Sequence, residues 1–159
     1  MPRHTFLERT DYMATVLSTS ATQTVAQNQN VVFTEKVTCN KSRNVMHRAG
    51  SGVITLRGSN SCCNPARYKV EFTGNIALAT GATVGPISVA LALAGEPLYG
   101  ATATVTPAAV GDFFNVSVQT VITVPCNCCL TIAVENATVA TTATPIDVAN
   151  ATITVTRIC

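Results

Sequence analysis

The stretch RYKVEFTGNIALATGATVGPISVALALAG, residues 67–95, decides how the rest of the chain reads. In its first half Tyr68, Val70, Phe72, Gly74, Ile76 and Leu78 alternate with Lys69, Glu71, Thr73, Asn75 and Ala77. A period of two puts the first set on one side of a strand and the second on the other. The second half alternates again on Ile87, Val89, Leu91 and Leu93. Its opposite side holds Ser88, Ala90, Ala92 and Ala94, small enough to lie beneath another surface. TGATVGP between them carries the glycine and proline punctuation of a turn. The expectation is a long antiparallel hairpin that buries one face against a second sheet.

Working outward, the flanking segments read as further strands. Candidates are Met13 to Leu17, NVVFTEKV at 30–37, Val53 to Arg57, Leu98 to Thr106, Phe113 to Val124, Leu130 to Val134 and Ala151 to Val155. Turn residues recur between them, and no segment has a helical period. Such spacing belongs to a sandwich or barrel.

Composition narrows the function. Of 159 residues, 47% are hydrophobic and 11% charged, less than half of the roughly 25% charge usual in globular domains. So little charge suggests a surface partly covered by neighbours. A formal net charge of +2 does not suit nucleic-acid binding. No apolar run approaches the roughly 18 residues of a membrane helix. Residues 1–12 carry Glu8 and Asp11 where a signal peptide needs an apolar core. Synthesis in a bacterial cytoplasm without classical export is the expectation.

Residues 1–13 read as an N-terminal arm and 14–159 as one domain. Arg3, His4, Phe6, Leu7 and Arg9 make the arm a candidate for docking on a neighbouring subunit. Deleting residues 1–11 is then expected to leave folding intact and abolish assembly. The loop 39–52 is basic, with Lys41, Arg43, His47 and Arg48. An anion or glycan contact is one reading; a solvated loop is the one preferred.

Seven cysteines are present, at 39, 62, 63, 126, 128, 129 and 159. Cys126 and Cys129 form a C-x-x-C, and with Cys62 and Cys63 could supply four ligands for zinc. Disulfides are the alternative, and inert thiols a third. Strand counting bears on the choice. If consecutive strands alternate in direction, the turns holding Cys62–Cys63 and Cys126–Cys129 fall at one pole, with Cys159 beside them. Cys39 would follow a strand ending at the opposite pole. The preferred pairing joins the Cys62/Cys63 turn to the turn of Cys126, Cys128 and Cys129, with Cys159 as the third participant.

No catalytic constellation stands out. The acidic residues fall on wet faces or in turns, and no pair is forced together by spacing. Neither His4 nor His47 is required to meet a thiol. No cofactor and no enzymatic activity are expected. The N-x-S/T sequons at Asn40, Asn115, Asn136 and Asn150 are those a Thr-rich chain produces by chance.

Four segments carry a resemblance: TQTVAQNQNVVF at 22–33, RYKVEF at 67–72, SVALALAGEPL at 88–98 and ATITVTRI at 151–158. With them, residues 14–159 resemble jelly-roll domains of the tumour necrosis factor and complement globular-head type. NIALATGATVG, ISVALALAGE and VTPAAVGDFFNV are also similar to segments of small structural proteins of Firmicutes phages and spore surfaces. The resemblance implies an all-β antiparallel jelly-roll sandwich of about ten strands that trimerises. It implies a virion protein: a capsid decoration, or a short head-fibre or vertex protein. The alternatives are a cysteine-cross-linked spore-surface or extracellular filament subunit, and a receptor- or glycan-binding module. No collagen-like stalk precedes the domain, which favours direct attachment to a particle.

Overall fold

The computed structural model describes residues 14–38, 42–60 and 64–159. In chain order their strands are β1 (Ala14–Thr19), β2 (Gln23–Val25), β3 (Glu35–Lys36), β4 (Val45–His47), β5 (Ile54–Arg57), β6 (Ala66–Leu78), β7 (Ile87–Leu93), β8 (Glu96–Val105), β9 (Phe114–Val124), β10 (Cys129–Asn136) and β11 (Ile146–Arg157). They form two antiparallel sheets. The first runs β3-β1-β11-β6-β9, with β2 also on β11; the second runs β4-β5-β10-β7-β8. The alternating apolar sides meet between the sheets. Tyr68, Val70, Phe72 and Ile76 from β6, and Ile87, Val89 and Leu91 from β7, are buried in one continuous core. The all-β antiparallel sandwich expected from the sequence is the observed architecture.

Its connectivity differs from the expectation at the stretch first quoted. β6 and β7 are not a hairpin. β6 is hydrogen-bonded to β11 on one side and β9 on the other, so neither edge is left for β7. β7 lies in the opposite sheet between β10 and β8. The connection, residues 79–86, is longer than a tight hairpin loop and bridges the roughly 10 Å between packed sheets. The small-residue side of β7 is also already closed within the chain: Ala90 is 0% and Ala92 1% exposed. That side therefore needs no neighbour.

NVVFTEKV is not one strand either. Val31 N donates to Val134 O in the second sheet (2.8 Å), and Val37 N donates to Val16 O in the first (2.9 Å). The segment crosses between sheets and buries Val31 and Phe33 on the way. Gln23 supports the crossing as a substitute strand partner. Its Nε2 donates to Val32 O (2.9 Å) and its Oε1 accepts from Val32 N (2.8 Å).

The last strand starts at Ile146, earlier than expected. Its register with β6 shifts between Ala149 and Thr152, and Asn150 has a left-handed φ of 50°. A bulge switches the parity of inward positions from Ile146 and Val148 to Ala151, Ile153 and Val155. A strict period of two sees only the second half.

Candidate functional site

Three regions carry the residues of interest. The first is the pole where β6 begins. Ala66 pairs with Val124 at the end of β9, and Cys129 at the start of β10 pairs with Arg57 at the end of β5. Two connections therefore meet here, the one that leaves β5 at Gly58 and the one at 125–128. They run side by side: Gly58 N donates to Cys128 O (2.8 Å) and Asn127 N to Ser59 O (3.0 Å). The chain end joins them, since Arg67 N donates to Cys159 O (3.3 Å) and Ile158 N to Arg67 O (2.8 Å). Gly58 is needed for this approach, because a Cβ there would collide with the Pro125 carbonyl oxygen. Tyr68 is buried beneath the pole. Burial pushes its phenol above the ordinary value, the Arg157 charge pulls the other way, and Cys129 adds to the rise.

Cys126 and Cys128 are half-buried here, and Cys129 and Cys159 are exposed. No disulfide joins any two of these four. Cys62 and Cys63, needed for the preferred disulfide and for the zinc quartet, lie outside the described residues. Among the described residues no group of three or more His, Cys, Asp or Glu side chains could hold a metal ion. The arm residues Arg3, His4, Phe6, Leu7 and Arg9 are also outside the described residues.

The strand before Cys39 runs opposite to the expectation. β3 pairs with β1 as Ser18↔Glu35 and Leu17↔Lys36, and Val37 reaches Val16. β1 pairs with β11 as Ala14↔Thr156, so this direction leads to the same pole as Cys159. After the undescribed residues the chain re-enters at that pole, where Arg57 N donates to Asn44 O (2.8 Å). The count slips by one because β4 lies inside the basic loop and is too short to show a period. His47 sits on β4, and its Nε2 donates to Ser51 O (2.8 Å), a contact within the loop itself.

The second region is β9, an edge strand of the first sheet. Phe114 and Val121 are exposed along it, as is Phe113 just before it. Beside it on the outer face, Lys69 Nζ pairs with Glu71 (2.9 Å), and Asn115 Nδ2 donates to Asn75 Oδ1 (3.0 Å). Lys69 and Glu71 thus cancel each other, and the face is otherwise mostly Thr, Ser, Asn and Gln.

The third region is a trough of about 390 Å³ on the outer face of the second sheet, at its β8 edge. Its floor holds Ser88, Thr102 and Thr104, and its wall is 137–140. Ser88 and Thr104 share a hydroxyl hydrogen bond of 2.7 Å. Gln27 Nε2 fixes the wall by donating to Thr138 O (2.7 Å). Tyr99 and Val139 stand on it, each 95% exposed. Alternation misses Tyr99, because parity with Ala101 and Ala103 would turn it inward. β8 breaks that parity: Ala90 pairs with Thr102 but Ala92 with Pro97, so residues 98–101 form a bulge. The signal in the sequence is Gly100 next to an aromatic residue in a strand.

Among the described residues no helix is long and apolar enough to cross a membrane. No protein-family model matches the sequence, and no curated protein sequence matches it. Solved structures do. The globular domain of zebrafish complement 1qA is 16% identical, covers 92% of this chain and 97% of its own, and superposes with a TM-score of 0.59. Eiger, a tumour necrosis factor from S. frugiperda, is 11% identical, covers 92% of each chain and also superposes at 0.59. At such identities the likeness concerns the fold, and it agrees with the resemblance read from the sequence. This chain has an antiparallel jelly-roll fold, the fold also seen in those two domains.

Proposed function

We propose that the chain is a structural subunit of a bacteriophage particle: a homotrimer that decorates the capsid or forms a short head-fibre or vertex protein. It is made in the bacterial cytoplasm, sits on the virion surface and performs no catalysis. The observation that carries the reading is β9. An edge strand is normally blunted by charge, whereas this one exposes Phe114 and Val121, with Phe113 just before them, beside a face of low charge. Apolar area of that kind is suited to contact between copies. Labelled antibody against the chain, followed by negative-stain microscopy of particles from the native source, tests the setting. Label on capsids or their vertices is the expected outcome.

A second reading is a cysteine-cross-linked filament subunit of a spore or cell surface. The exposed thiols of Cys129 and Cys159 at one pole favour it. Label along filaments, with a ladder of multimers on non-reducing gels that collapses on reduction, would replace the phage reading with this one.

A further inference from the structure

We infer that the trough beside β8 binds a neutral oligosaccharide, with the ring of Tyr99 as its stacking platform. The inference is independent of the assembly reading, because the trough lies on the second sheet and the exposed edge β9 on the first.

The chemistry of the lining sets the ligand class. The trough has no charged residue in its walls or floor. An ionic ligand would lose hydration there and gain no counter-charge. What the site offers is hydroxyls and amides beside apolar surface. The Ser88–Thr104 hydroxyl pair uses one proton between two oxygens, which leaves the other hydroxyl proton for a ligand. Thr102 donates to Leu98 O (2.9 Å), so its oxygen keeps acceptor capacity. Asn28 stands at the rim, held at a left-handed φ of 61°. Sugars present the matching surface: C–H faces that pack on an aromatic ring, ringed by hydroxyls that both donate and accept.

Tyr99 supplies the ring. The chain has no Trp, and the bulge at 98–101 turns this Tyr outward against the parity of its strand. Dimensions favour more than one sugar unit. About 390 Å³ falls in the range of small-ligand sites, roughly 300–1,000 Å³. A second hollow of about 140 Å³ adjoins it across Val139 and Ala140, and it too is lined only by uncharged residues.

The test uses the full chain on an array of immobilised hexasaccharides. Neutral ones are built of glucose, mannose, galactose or N-acetylglucosamine; the acidic one is oligogalacturonate. Binding to at least one neutral chain and none to the acidic one is expected. Tyr99→Ala, at a side chain 95% exposed and so without cost to folding, should weaken it about tenfold. Thr104→Val should weaken it several-fold. An array with no neutral hit, binding confined to the acidic glycan, or neutral binding unchanged in Tyr99→Ala would each overturn the inference. So would a Tyr99→Ala protein that loses its self-association instead, since the trough would then hold a second copy of the chain.

Discussion

The hydroxyl of Tyr68 on β6 donates to the carbonyl of Arg57 on β5 across 2.5 Å, tying the first sheet to the second at the pole where the cysteines gather. The bond lies at the end of a side chain with no solvent exposure. Tyr68→Phe keeps the ring and removes the bond, and should cost about 1 kcal/mol in chemical denaturation. The pH profile carries the same information. The folded-state pKa is raised above the ordinary 10.0, so the folded protein holds its proton where the unfolded chain releases it. Stability should fall as pH rises from about 10 through the raised value, and Tyr68→Phe should flatten that fall.

Gly58 marks where the two connections touch. Gly58→Ala places a methyl group against the Pro125 carbonyl, which is backbone and yields little. A loss of about 2–3 kcal/mol is expected from thermal or urea unfolding. An unchanged midpoint would mean that the connections do not lie side by side.

Asn136 is a buried polar anchor at the other end of the sandwich. Its Nδ2 donates to Val25 O and Thr144 O, each at 3.0 Å, and its Oδ1 accepts from Thr138 N (3.2 Å). Asn136→Asp has the same shape but no donor pair. It should cost about 2–4 kcal/mol at neutral pH, with part of the loss recovered in acid as the carboxyl protonates. A loss independent of pH would contradict the donor assignment.

Glu135, next in the chain, gives a pH effect of its own. Burial pushes its carboxyl above the ordinary 4.5, and the Glu96 charge pushes in the same direction. The folded protein then binds the proton more tightly than the unfolded chain. Stability should decline as pH rises from 4.5 through the raised folded value. Glu135→Gln should show a smaller drop in Tm between about pH 4 and pH 7 than the parent; an equal drop would refute the assignment.

Much of this was legible in the sequence, and the failures share a physical origin. Alternation identifies the face of a strand, so Tyr68, Val70 and Phe72 were placed in the core correctly. It says nothing of which strand lies alongside, so β6 and β7 read as partners although they sit in opposite sheets. Where a bulge changes parity, at Asn150 and at 98–101, alternation misses the start of β11 and gives no sign of the outward turn of Tyr99. Counting strand directions brings Cys126, Cys128, Cys129 and Cys159 to one pole, and it fails for the direction of β3 because β4 has only three residues. The exposure of Phe113, Phe114 and Val121 depends on β9 being an edge, which only sheet order reveals.

Self-association through β9 is the central claim. Sedimentation equilibrium of the full chain, under reducing conditions at micromolar concentration, tests it most directly. The account predicts a single species of three times 16.6 kDa, converted to smaller species by the double substitution Phe113→Asp, Val121→Asp. A stable species of 16.6 kDa for the unmodified chain would contradict it.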